Sequence, residues 1–128
     1  MAEKKEEKEM YINDNIQEVK IRNIEVMIVP SKHFDHRLIK RGIECQVVMD
    51  CVYKYAENIY NSMDDEEVAV IYDAEKKYSF GIQKYATEFI LTTPVDSKMR
   101  ASRDQKIFLV ERNDNSFEII SFEKYKKI

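Results

Sequence analysis

Between residues 18 and 29 the apolar positions alternate: Val19, Ile21, then Val26 and Ile28, with an interruption near Asn23 and Ile24. A period of two predicts extended structure, and Pro30 ends it. Ser31 follows as an N-cap, so a helix is predicted over 32–41. Gly42 stands where a helix needs a left-handed residue to stop, and Ile43 can fold back onto the last turn. Over 44–57, Val47, Val48, Cys51, Val52 and Tyr55 recur at helical spacing, giving a second helix with one buried stripe. The two helices would form a hairpin with a corner of one or two residues. Residues 61–66 read as a polar loop, after which the period returns to two. Val68, Val70 and Tyr72 alternate, as do Tyr78, Phe80 and Ile82; residues 88–95, 106–110 and 117–122 are further strand candidates. Turn-forming clusters at 73–76 and 113–115 separate them. The expected architecture is α+β: a helical hairpin packed on one face of a four- to five-stranded antiparallel sheet.

A chain of 128 residues, 44% of them hydrophobic, can bury one sizeable core. The expected organisation is a disordered charged terminus over 1–10 and a single domain over 11–128. The first residues are charged where a secretory signal would be apolar, and no apolar run approaches bilayer length, so the expected location is the cytoplasm, away from membranes. Cys45 and Cys51 lie six residues apart. On a helix that is about 600° of rotation, so they face different ways. They read as packed, reduced thiols rather than a disulfide or half of a zinc site. Neither a metal nor any other cofactor is expected.

The net charge of −3 hides an asymmetry. Residues 20–41 carry six basic and two acidic groups, residues 44–75 one and nine, and residues 76–112 eight and four. An acidic total is compatible with a nucleic-acid protein when its cations converge on one face; the plain alternative is a solvated surface.

The first helix carries the candidate chemistry. His33, Arg37 and Arg41 are spaced i, i+4, i+8, and each step of four turns about 40°, so they form a shallow stripe. Phe34 and Leu38 form an apolar stripe beside it. Burying the second leaves the first along an edge. Cleavage of RNA by its own 2′-hydroxyl needs a base for that proton, positive charge on the phosphate and an acid for the leaving 5′-oxygen. Histidine serves as base or acid near neutral pH, and arginine clamps a phosphate bidentately. No metal is required. His36 reads as a surface residue, and most of the eight tyrosines fit core or sheet positions better than base-stacking ones. Residues 94–104 form a long polar segment, basic through Lys98, Arg100 and Arg103, that would hold substrate phosphates or be a mobile insertion.

The pattern H-x3-R-x3-R-G-I over residues 33–43, on a helix followed by a second amphipathic helix and a sheet, resembles the RelE/barnase-like superfamily of small ribonucleases. Within that group it is most similar to phage early-transcript endoribonuclease-like domains. The motif covers residues 31–60, and residues 66–112 agree by element order. The resemblance implies a metal-independent endoribonuclease, phage-encoded or toxin-like. His33 and Arg37 would be catalytic and phosphate-binding, and Arg41 would support the phosphate or the helix turn. Further polar residues of the sheet region would bind substrate, with Lys84, Thr92, Arg100 and Arg103 as the candidates. The partners implied are RNA, free or on the ribosome, and a neutralising protein of antitoxin type. The competing reading is a non-catalytic module of the same shape that engages a host protein through the acidic residues 64–67.

Overall fold

The computed structural model describes residues 16–111 and 114–128; the expected disordered terminus over 1–10 lies outside the described residues. The chain runs β1 (Gln17–Ile21), β2 (Ile24–Pro30), α1 (Lys32–Arg41), α2 (Cys45–Lys54), α3 (Ala56–Ser62), β3 (Val68–Asp73), β4 (Tyr78–Lys84), β5 (Glu88–Val95), β6 (Lys106–Glu111), β7 (Ser116–Ile120) and α4 (Phe122–Lys127).

The seven strands form one sheet in the order β1-β2-β5-β4-β3-β6-β7. Its centre, β3 to β5, is the antiparallel meander expected from the alternating stretches. The expectation of a four- to five-stranded, wholly antiparallel sheet is overturned at both sides of that centre. The segment before the helices folds on Arg22 and Asn23 into the β1–β2 hairpin, and β2 joins β5 in parallel. On the other side, β6 joins β3 in parallel and β7 returns antiparallel beside it. The edge of β5 that a simple meander would use is already occupied by β2. The chain therefore crosses residues 96–105 to reach the open edge of β3. The crossing is fastened: the Ser79 hydroxyl donates to the Ser97 carbonyl, 2.7 Å, and accepts from the Met99 N–H, 2.9 Å. The start of the connection is thus held against β4.

The strands β3 and β6 are buried on both faces. Ala69, Ile71, Phe108 and Val110 join the main core beneath α1, α2 and α3, together with Val26, Ile28, Phe80, Ile82, Phe89 and Leu91. Val70, Tyr72, Ile107 and Leu109 point the other way, into a smaller core closed by Ile120 and Tyr125. Two-sided burial explains the unbroken apolar runs in these strands. The lid of the smaller core is α4, where a fifth strand was expected to run on to residue 122. Six residues are too few to show helical periodicity; the signal is Ser121, whose hydroxyl accepts the Lys124 N–H, 3.0 Å. Lys98 holds its far end by donating to the carbonyls of Tyr125, Lys126 and Ile128.

The helix expected over 44–57 is two helices. Tyr55 breaks it (φ −107°, ψ 18°), and its ring stacks on Phe117 at 4.6 Å. The break turns α3 over the hairpin side of the sheet, where the Tyr60 hydroxyl donates to the Ala86 carbonyl, 2.8 Å. Cys45 and Cys51 are free thiols, and burial, aided by the Asp35 carboxylate, pushes Cys45 up to about 11.

Burial, with a contribution from Tyr72, also pushes the Tyr125 phenol from 10.0 up to about 12, and its hydroxyl donates to the Met99 carbonyl, 2.6 Å. A raised acid holds its proton more tightly when folded. Its contribution is complete below pH 10 and is lost as pH rises through about 12. Thermal melts across that window should fall more steeply for the wild type than for Tyr125→Phe; parallel slopes would place the alkaline sensitivity elsewhere.

Candidate active site

The site helix is set by its two ends. Ser31 is extended, its hydroxyl accepts the Phe34 N–H at 3.1 Å, and Gly42 closes the helix at φ 67°. Only a residue without a Cβ takes that backbone cheaply, and the turn is completed by Ile43 N–H on the Leu38 carbonyl, 3.1 Å. Both caps and both bounds agree with the sequence expectation. The start of α1 is tied to β5: the Ser31 N–H donates to the Leu91 carbonyl, 3.0 Å, and its hydroxyl to the Thr92 carbonyl, 3.4 Å.

Phe34 and Leu38 are buried on the sheet, as the apolar stripe requires. His33 is exposed, while Arg37 and Arg41 are half-buried. The three span about 12 Å along the helix axis. Among the described residues His33 and Arg37 have no hydrogen-bond or ion-pair partner, which leaves both groups available to a ligand. Arg41 is engaged, 3.4 Å from the Asp96 carboxylate just past the end of β5. Both side chains of that pair are partly solvated, so it is worth no more than about 1 kcal/mol and an anion can compete for the guanidinium.

Beyond Arg41 the edge opens into a groove of about 420 Å³ between the α1–α2 corner and the β3–β4 turn. Its far wall carries Lys76 and Lys77, both exposed. The turn is rigidly made. The buried Asp73 carboxylate accepts the N–H groups of Glu75, 3.1 Å, and Lys76, 3.0 Å, and Lys77 sits at φ 59°. Glu44 and Asp96 also border the groove, so its charge is mixed. The sequence predicts a turn over 73–76 without marking Lys76 or the adjacent Lys77 as binding residues. The available signal was the abrupt change from acidic to basic at residue 76.

The expected substrate-binding residues do not gather here. Thr92 is nearest, beside the start of α1, with its hydroxyl occupying the space that a Cβ on Gly81 would fill. Lys84, the last residue of β4, is buried beside the opposite end of β5, paired with Phe89 in register, roughly 20 Å from Asp96 by strand rise. Its ammonium lies 3.1 Å from Asp65 and 4.3 Å over the Tyr60 ring. Arg100 and Arg103 belong to the α4 side of the sheet. Arg100 is exposed, and Arg103 pairs with Glu123 at 2.9 Å above the Phe122 ring.

No family model, curated protein or solved structure matches the chain. Among the described residues no group of three or more His, Cys, Asp or Glu is placed to hold a metal. No helix among them is long and apolar enough to cross a membrane.

Proposed function

We propose that the chain is a metal-independent endoribonuclease of the cytoplasm, acting on RNA from the His33 edge of α1. The observation that carries this reading is an exposed histidine and a half-buried arginine one turn apart, both without partners among the described residues, in line with a second arginine at Arg41. His33 takes the proton of the 2′-hydroxyl as its oxygen bonds to phosphorus. Arg37 holds the non-bridging oxygens, where charge accumulates. The bond to the 5′-oxygen then breaks and that oxygen takes a proton from solvent, leaving a 2′,3′-cyclic phosphate and a 5′-hydroxyl. Arg41, Lys76 and Lys77 take the phosphates that follow along the groove.

The reading as an acidic docking module has less to stand on. Within residues 64–67, Asp65 pairs with Lys84 and Glu67 lies 3.3 Å from Lys106. Half of that segment's carboxylates are thus paired with lysines of the same chain. A toxin reading adds a neutralising protein to the same chemistry and changes none of the residues.

The test is incubation of purified protein with total RNA, and separately with translating ribosomes, in each case beside the His33→Ala variant. EDTA is added to the free-RNA reaction. Fragments ending in 2′,3′-cyclic phosphate, from the wild type alone, are expected. Intact RNA in both settings with a folded protein would refute the proposal.

A further inference from the structure

The edge strand β1 carries a pattern that the catalytic reading does not use. Its hairpin closes on the pair Ile21 and Ile24 across a two-residue turn. In such a hairpin the closing pair exchanges both backbone hydrogen bonds, and bonded and non-bonded pairs then alternate. Ile21, Val19 and Gln17 therefore direct their N–H and C=O groups toward β2. Glu18 and Lys20 direct theirs outward, away from every other described strand. The side chains alternate as well: Val19 and Ile21 enter the core, while Glu18 and Lys20 are exposed on the other face.

We infer that β1 pairs antiparallel with β1 of a second copy of this chain, on a twofold axis at Val19. That register places Glu18 opposite Lys20 of the second copy and Lys20 opposite its Glu18. All four are residues with outward backbone groups, so each pair exchanges two hydrogen bonds and each joins opposite charges. Within its own hairpin Lys20 already faces Glu25, so the ammonium comes to lie between two carboxylates.

The neighbouring registers fail on parity or on charge. A shift that sets an outward residue against an inward one forms no ladder. Centring on Glu18 or on Lys20 sets like charges face to face. The other edge, β7, offers no equivalent, because Glu118 is its sole charged residue and the strand carries no cation to complement it. An exposed edge is normally guarded by a lysine; here the guard becomes a complement, but only toward a strand with a carboxylate two residues before its own lysine. A second copy meets that condition by construction.

The test is the mass in solution over a range of concentrations, by light scattering or sedimentation. Wild type should approach twice 15.3 kDa as concentration rises. Glu18→Lys and Lys20→Glu, both at exposed positions, should each be monomeric. An equimolar mixture of the two should dimerise, as should the Glu18→Lys/Lys20→Glu double variant. A wild type that stays at 15.3 kDa throughout, or a dimer indifferent to both single reversals, overturns the inference. The readout is mass alone, so it is independent of whether the α1 edge cleaves RNA.

Discussion

His33→Ala is expected to slow RNA cleavage by about 10²–10⁴-fold, the usual worth of a positioned general base, while the melting temperature stays within a degree or two of wild type. The two halves of that expectation come from different observations. The loss in rate follows from His33 being the one imidazole in the arginine stripe. The unchanged stability follows from its exposure and its lack of partners among the described residues, since surface substitutions of that kind usually stay within about 0.5 kcal/mol. His36 supplies the control. It lies on the same helix and is exposed, but three residues turn it about 300°, roughly 60° away from the His33 line. His36→Ala should therefore cleave at nearly the wild-type rate. If both variants lose activity alike, the effect belongs to the charge of the helix. If neither does, the general base lies elsewhere and the assignment of His33 falls.

The parts of the molecule legible in the sequence are those whose signals are local. Ser31 and Gly42 bound α1 because capping depends on residues within one turn. The alternation of residues 68–95 showed the meander for the same reason. What was not legible was set by distant partners. Nothing near residue 96 states that β2 already occupies the edge of β5, yet that fact sends the chain across to β3 and makes two of the strand junctions parallel. The break at Tyr55 depends on Phe117, sixty-two residues later in sequence. The candidate site divides in the same way. The His33–Arg37–Arg41 stripe is a property of one helix and could be read from spacing. Whether other cations join it is a property of the sheet. Lys84, basic and apparently well placed on a strand, is held by Asp65 and Tyr60, whereas Lys76 and Lys77, unremarked in a turn, face the groove.

Phe34→Ala should produce the largest loss of stability among substitutions near the site, about 3–5 kcal/mol, as for large aromatic truncations in a closed core. Phe34 is fully buried, and its ring meets Phe80 edge-on at 6.3 Å. Phe80 stacks in turn on Tyr78 at 6.0 Å, and Tyr78 borders the groove. The aromatic column thus runs from beneath the start of α1 to the wall beyond its end. Leu38 is the other buried side chain of α1, so truncating Phe34 removes about half of what seats the helix. For a chain of this length the melting temperature should fall by roughly 10–20 °C, and the free-energy loss is a large share of the ~5–15 kcal/mol that holds an ordinary domain. Phe34→Leu keeps most of the volume and should cost less than about 1.5 kcal/mol. The pair separates two ways of losing activity. Phe34→Leu should cleave RNA at moderate temperature because the stripe stays in place, whereas Phe34→Ala should lose cleavage in parallel with its helical signal on warming. A melting temperature for Phe34→Ala within about 3 °C of wild type, less than the shift expected for 1 kcal/mol, would mean that α1 is not seated on the sheet through this residue. The geometry assigned to the arginine edge would then have to be abandoned with it.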